Sequence, residues 1–360
     1  MKIAVLGYGT VGRSICKYIE GDSRDIQIAY VLRRPGKATE PFMTEDFDEI
    51  LNDPSVGIVV DALSGKIDSY DYMKRALLAG KHVVTANKAA LAYAMEELCT
   101  IAAKKEVQLK YEASSGGTIP IVSEIISTTH TNYLSSVYGI LNGTSNFILD
   151  KMINEGSDFA ATLKEAQELG YAEADPTADI GGFDVKNKIM ILASTAYHGF
   201  VTSDFPVSGI EKLTKEILDE YAAEGKTIKL MGISVRNDND YALGVVPCVI
   251  GKDQLEAHVP LNNNMITLVG DMCGEIKLYG QGAGGSPTAD ALLRDIYSIF
   301  NSVNVDVEFQ FFRKLRYVPE MLKGSAYIGG TKYEGTLEEL VKIAEEKNHF
   351  IAFECPEICK

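Results

Sequence analysis

Apolar and polar positions follow two different rhythms along this chain. Lys2–Leu6 is a short apolar run that stops at a glycine, and apolar residues then recur at Val11, Ile15 and Ile19. That spacing puts them on one side of a helix. Further strand-like runs fall at residues 26–32, 56–62, 82–85 and 107–111. Residues 70–78 and 88–105 carry helical spacing, and the first of these ends at Gly80, a residue suited to a helix C-terminus. Such strand–helix alternation predicts an α/β fold, a doubly wound parallel sheet of the Rossmann type covered by helices.

The texture changes after about residue 130. A strand at 136–141 leads into a helix at 144–154, and helical segments follow at 158–169 and 184–198. From 227 to 278 the pattern is strand-rich, as in the run 241–250. This second region reads as α+β with an antiparallel or mixed sheet. A glycine-rich turn at 280–285 then opens a helix over 287–302. The tail holds a strand-like 305–311, a helix-like 337–347 and a final apolar 350–353, to which the pattern assigns no role. The expected organisation is a nucleotide-binding domain at 1–130, a substrate-binding and dimerisation domain at 131–280, and a return helix plus tail at 281–360. There are no internal repeats.

With 360 residues, 46% of them hydrophobic, the chain can bury a large core. Its net charge is −15 and no basic run stands out, so a polyanion such as nucleic acid is not an expected partner. No stretch approaches the roughly 18–20 apolar residues of a membrane span. The apolar run at the N-terminus is too short for a signal peptide, so a cytoplasmic address is expected. Cys16, Cys99, Cys248, Cys273, Cys355 and Cys359 are scattered without a CxxC pair, which predicts reduced thiols and neither a zinc site nor a disulfide framework.

Gly7-Tyr8-Gly9-Thr10-Val11-Gly12 follows the first strand and opens the first helix. In that context Gly7 permits the tight turn, Gly9 lets the backbone approach a pyrophosphate, and Gly12 lets helix and strand pack closely. Glycines also mark ordinary turns, but the strand–turn–helix setting favours a dinucleotide site. A site selective for NAD usually carries Asp or Glu after the second strand, to hold the ribose 2′-hydroxyl. Arg33 and Arg34 stand there instead, and forked guanidiniums suit a 2′-phosphate. NADP(H) is therefore favoured over NAD(H). The plainer reading is a pair of solvated surface arginines.

Residues 166–188 form a second informative segment. A helix end at Gly170 is followed by a carboxylate-rich loop with Glu173, Asp175 and Asp179, and a new helix starts near Asp184. Asp184 and Lys188 stand at i and i+4 on one helical face, which alone is compatible with a surface ion pair.

The whole segment from Ala166 to Lys188 resembles the signature of homoserine dehydrogenases, with every spacing intact. Residues 83–88 (Val83 to Lys88), 111–120 (Tyr111 to Pro120), 139–146 (Gly139 to Asn146) and 282–289 (Gly282 to Ala289) resemble further motifs of that family, in family order. The resemblance covers roughly residues 3–300. It implies NAD(P)-dependent interconversion of L-aspartate 4-semialdehyde and L-homoserine, in threonine and methionine biosynthesis. Lys188 and Lys88 would be the catalytic lysines, with Asp184 beside them. Glu173, Asp184, Thr144 and Lys88 would hold the amino-acid substrate, Glu173 facing its ammonium group. Gly7, Gly9, Thr10, Val11, Gly12, Arg33, Arg34, Ser64, Lys88, Gly282 and Gly285 would contact the cofactor. A monovalent cation such as Na⁺ would take the Glu112 side chain and the carbonyls of Ser115, Gly117 and Ile119, oxygen ligands of the kind a hard cation prefers; an ordinary turn is the alternative. The strand-rich 227–278 would pair between subunits in a homodimer, with a tetramer as the larger alternative.

A lysine ammonium suits the proposed reaction, because it can give a proton to the alkoxide that forms as hydride reaches an aldehyde carbon. An aldehyde-oxidising enzyme would need a nucleophilic cysteine, and none occurs between Cys99 and Cys248. The chain departs from the family pattern at Ser115, usually apolar, at Gly181, usually acidic, and at Ser64, usually glycine. The segment after Pro120 lacks the basic pattern expected there, and neither a fused kinase nor an ACT module is expected. Two other readings are open at this level. One is a related reductase of another small amino or hydroxy acid; the other is a non-catalytic dinucleotide sensor, which would be expected to lose Lys188, Asp184 or Lys88.

Overall fold

The computed structural model describes residues 1–21, 25–301 and 313–355. The strand-like stretch at 305–311 and Cys359 lie outside the described residues. Two compact units emerge, Met1–Ser123 with Gly284–Gln310, and Glu124–Ala283 with Phe311–Lys360.

The first unit is built on a parallel sheet of β1 (Lys2–Leu6), β2 (Gln27–Leu32), β3 (Met43–Thr44), β4 (Val56–Asp61), β5 (His82–Thr85) and β6 (Leu109–Lys110). The strands lie in the order β3-β2-β1-β4-β5-β6, a doubly wound arrangement that starts at β1 and reverses across it. Helices α1 (Thr10–Glu20), α2 (Phe47–Asn52), α3 (Lys66–Leu78) and α4 (Lys88–Lys104) connect the strands. A later helix, α11 in chain order (Gly285–Phe300), packs against α1. The apolar spacing read in α1 is the face it buries: Ile15, Cys16 and Ile19 join Ile3, Val5, Ile58 and Val60 from the strands and Leu292 and Ile296 from α11 in one core. The expected strand at 107–111 shrinks to a two-residue edge, and α3 starts four residues before the expected 70 because Gly65 and the acidic first-turn Asp68 begin it. The elements β3 and α2 were too short to show a period. Helix α5 (Ile121–Thr129) hides for the same reason: its apolar face, Ile121, Val122, Ile125 and Ile126, spans little more than one turn.

The second unit carries a mixed sheet. Its strands are β7 (Leu134–Ile140), β8 (Lys226–Asn237), β9 (Asp240–Gly251), β10 (Asn263–Gly270), β11 (Gly274–Gln281), β12 (Arg316–Tyr317), β13 (Lys323–Ile328), β14 (Thr331–Thr336) and β15 (Ile351–Glu354). They run in the order β11-β10-β7-β8-β9-β15-β13-β14, with β12 on β9. The helices are α6 (Gly143–Glu155), α7 (Phe159–Glu168), α8 (Thr177–Ile180), α9 (Phe183–Tyr197), α10 (Lys215–Ala223) and α12 (Leu337–Lys347). Strands β8 and β9 form a long antiparallel hairpin closed by a two-residue turn, with Asp238 at φ +56°.

The tail finds its role here. Strand β15 lies parallel to β9 and antiparallel to β13, so the C-terminal segment widens the sheet. Its helix α12 begins in a full capping box between Thr336 and Glu339 and buries Leu340, Val341 and Ala344 against Met231, Ile233, Val246 and Phe353. That core covers one face of the sheet. Helix α9 covers the other: a Cβ at Gly232 on β8 would touch Val185 and Ile189 of α9, so glycine lets the helix settle directly on the strand. Among the described residues no helix is long and apolar enough to cross a membrane.

Candidate active site

Strand β1 ends where the chain must turn into α1, and Gly7 takes φ +94° to do so. Its N–H donates to Leu32 O, tying the turn to the end of β2. At Gly12 an added Cβ would overlap Gly7 O, so only glycine allows this loop to close on its helix. At Gly9 an added Cβ would meet nothing within 4 Å. The loop thus leaves open space above the N-terminus of α1, the place where a pyrophosphate would approach backbone N–H groups. Thr10, in the first turn of α1, touches Gly285, in the first turn of α11, so two helix N-termini meet beside the loop. Val11 is half-buried in the same turn. The Arg33 guanidinium lies over the Tyr8 ring, 5.2 Å from its centroid, and that of Arg13 lies 5.8 Å from the same centroid. The second-strand arginine is thereby drawn to the glycine loop, while Arg34 is exposed. These features fit a dinucleotide.

The ends of β4 and β5 form a network not visible in the sequence. Asp61, buried at the end of β4, accepts from Ser69 Oγ at 2.5 Å, Thr85 Oγ1 at 2.7 Å and Leu63 N at 3.2 Å. Burial pushes its carboxyl above the ordinary range, against the pull of those three donors. Thr85 in turn receives Asn87 N, and the Asn87 side chain donates to Leu63 O and Gly65 O while capping α4 through Ala90 N. Lys88, the first residue of α4, is therefore fixed at its backbone by a chain that starts at Asp61. Ser64 lies exposed in the loop that Asn87 holds.

Beyond β6, Glu112 is buried and its carboxylate faces the first turn of α5. It accepts from Val122 N and Ser123 N, both at 2.9 Å, and from Ser123 Oγ. The carboxylate so caps a helix N-terminus from outside the helix. Asp295 of α11 receives Glu112 N at 2.9 Å and Arg294 donates to Thr118 O at 3.0 Å, which holds the loop from both ends. Gly116 and Gly117 both take left-handed conformations between Ser115 and Ile119. The Ser115 hydroxyl is buried and has no hydrogen-bond partner among the described residues. Side-chain and carbonyl oxygens of this loop are of the type a monovalent cation takes.

In the second unit, Asp184 and Lys188 are both only 6% exposed, and Lys188 Nζ lies 2.8 Å from Asp184 Oδ2. The surface ion pair is excluded. The same ammonium donates to Leu141 O at 2.6 Å, at the end of β7. Asn142, the cap of α6, uses its Nδ2 to bridge Asp184 at 2.9 Å and Asp179 at 2.7 Å, while its Oδ1 receives Ser145 N. Asn142 and Asp179 belong to motifs noted in the sequence but carried no expected role; what marks them is the chain of contacts from Asp179 through the Asn142 amide and Asp184 to Lys188. Thr144 donates to Tyr171 O at 2.6 Å and so fastens the carboxylate-rich loop to α6. Glu173 is exposed on that loop, and its backbone carbonyl accepts from the Gln167 side chain. At Gly181 an added Cβ would fall 3.0 Å from the Glu211 carboxylate, so that carboxylate takes the space of a longer residue there. Gly282, after β11, packs on the Asn264 side chain.

An ammonium pinned between a carboxylate and a carbonyl presents its protons from one fixed point. Such a group can stabilise a developing alkoxide and protonate it.

Comparison with known proteins agrees across the chain. Residues 7–112 match the model of the homoserine dehydrogenase NAD-binding domain, and residues 120–297 that of homoserine dehydrogenase. The homoserine dehydrogenase of Synechocystis is 36% identical over 316 residues, covering 83% of this chain and 73% of the relative. That of Bacillus subtilis is 33% identical over 337 residues, covering 89% and 78%. The crystal structure of a homoserine dehydrogenase from Thiobacillus denitrificans superposes with a TM-score of 0.85 at 32% identity, covering 91% of this chain and 82% of that one. The chain therefore belongs to the homoserine dehydrogenase family, NAD(P)-dependent oxidoreductases of amino-acid biosynthesis.

Proposed function

We propose that this chain runs the homoserine dehydrogenase reaction with Lys188 as its proton-handling group and NADP(H) as its preferred cofactor. The observation that supports the first part most is the buried Lys188–Asp184–Asn142 array, which devotes two carboxylates and a capping amide to the setting of one lysine. When bound, the nicotinamide cofactor supplies or accepts the hydride at the substrate's terminal carbon. In the reductive direction Lys188 donates a proton to the aldehyde oxygen as it becomes alkoxide; in the oxidative direction it takes the hydroxyl proton of homoserine. Asp184 keeps the lysine aimed. Lys88 supports turnover from its place at the start of α4, and Thr144 shapes the substrate loop. The Glu173 carboxylate binds the substrate ammonium, so Glu173→Gln raises the homoserine KM with little change in kcat.

Cofactor preference rests on Arg33 and Arg34. Homoserine oxidation is expected to give the higher kcat/KM with NADP⁺ than with NAD⁺. Changing both arginines to alanine removes the charges that face a 2′-phosphate and narrows that gap. An enzyme that starts with the higher kcat/KM for NAD⁺ refutes this assignment.

Glu112, with the carbonyls of Ser115, Gly117 and Ile119, is proposed to bind a monovalent cation such as Na⁺. The working form is proposed to be a cytoplasmic homodimer joined through the strand-rich 227–278, with a tetramer as the larger alternative. Light scattering at micromolar concentration should give at least twice the 39.3 kDa chain mass; the monomer mass would contradict the assembly.

A further inference from the structure

Asn264 on β10 has a fully buried side chain, and among the described residues neither its Oδ1 nor its Nδ2 has a hydrogen-bond partner. A buried carboxamide normally meets a protein group or an ordered water, because leaving it dry forfeits the bonds it had in solvent. Its position sharpens the question. In the antiparallel pairing Met265 lies opposite Ile140, so Asn264 stands beside Leu141, whose carbonyl receives Lys188. Ile266 pairs with Gly139, which pairs with Gly232, the glycine on which α9 rests. Residues two apart on a strand share a face, so the Asn264 side chain lies on the α9 side of the sheet, the side of Lys188 and Asp184. The neighbouring Asn262 carbonyl lies 3.3 Å or less from where a Gly143 Cβ would be, so this strand end abuts the start of α6 as well. A side chain at 282 would collide with the carboxamide, and glycine there leaves it room.

We propose that Asn264 is a substrate-binding residue whose Nδ2–H donates to the α-carboxylate of the amino-acid substrate. The inference rests on the placement of substrate at Lys188 proposed above. Lys188 addresses the reacting oxygen, Glu173 the ammonium, and the Thr144 hydroxyl gives its proton to Tyr171 O, which leaves the α-carboxylate of the substrate without a recognised donor among these residues of the second unit. A neutral carboxamide supplies that donor without adding a second cation next to the lysine, so the Lys188 ammonium is not disturbed by like charge.

The test uses three ligands and two variants of the full chain. L-homoserine is the substrate; 4-hydroxybutyrate keeps the carboxylate and lacks the ammonium; 3-amino-1-propanol keeps the ammonium and lacks the carboxylate. Asn264→Ala should raise the homoserine KM and the 4-hydroxybutyrate inhibition constant about 10- to 100-fold, the range for losing a hydrogen bond to a charged group. The inhibition constant of 3-amino-1-propanol and the Kd of NADPH, read by fluorescence, should stay put. Asn264→Asp keeps the shape, places a negative charge against the carboxylate, and should weaken 4-hydroxybutyrate further than alanine does. Equal changes for both inhibitors, or none, would overturn the proposal in favour of an ordered water or plain packing. A raised NADPH Kd with the homoserine KM intact would overturn it in favour of a cofactor contact. Failure of the Lys188 assignment is read separately, from kcat of Lys188→Ala.

Discussion

Lys188→Ala is expected to lower kcat by about 10²–10⁴-fold, the usual cost of losing a general acid or base, with NADPH affinity nearly unchanged. The expectation follows from how the ammonium is held. A lysine in solvent would move its charge with every rotamer, whereas Asp184 Oδ2 at 2.8 Å and Leu141 O at 2.6 Å set this nitrogen from two directions. Hydride transfer creates negative charge on one oxygen, and a donor already aimed there needs little reorganisation. Lys188→Arg should recover little, because a planar guanidinium cannot place its charge at the same point. The measurement is steady-state homoserine oxidation alongside NADPH binding by fluorescence. Near wild-type kcat in the folded alanine variant would make the lysine a structural ion-pair partner.

How much of this could be read beforehand differs between the two units. The alternation of Lys2–Leu6, α1 and β4 is periodic, and it specified the parallel sheet because each element buries one regular face. The glycine loop was legible for a similar reason: three glycines in one turn have few causes, and the overlap at Gly12 shows why no side chain is tolerated there. Long-range partnerships were not legible. Asp61 looks like any carboxylate at a strand end until Ser69 and Thr85 close on it, 8 and 24 residues away. Asn142 meets Asp184 across 42 residues, and no local pattern announces that bond. The tail was obscure because β13 to β15 complete a sheet begun elsewhere, so their apolar faces make sense only against β9 and α12. Asn264 shows the converse: its spacing says strand, and only its side chain, without a hydrogen-bond partner among the described residues, sets it apart from its strand neighbours.

Asp184→Ala should cost stability as well as turnover. The carboxylate and ammonium share a buried setting, so removing one takes from the other a buried partner at 2.8 Å. Breaking such a pair from one side typically costs about 3–5 kcal/mol, while replacing both partners with apolar residues of similar size is often near neutral. Asp184→Ala removes the carboxylate that faces Lys188 opposite the Leu141 carbonyl, and frees Asn142 from one of its two carboxylates. Lys188→Met removes the ammonium from Asp184 and keeps its contact with the Asn142 amide. Each single variant is therefore expected to unfold at markedly lower denaturant concentration than the parent. The double variant Asp184→Leu with Lys188→Met should recover most of that loss and remain inactive. This pattern separates two roles that activity alone confounds: a fold that tolerates the apolar pair does not need the charges, and a reaction that stops without them does. Denaturant unfolding of the four proteins, with cofactor absent so that binding does not mask the change, reads the coupling between the two sites. Single variants that lose less than about 1 kcal/mol and simply add in the double would show the pair to be solvated and weak, as exposed pairs are. The Lys188 setting would then be too loose to aim a proton, and the kcat prediction would lose its basis too.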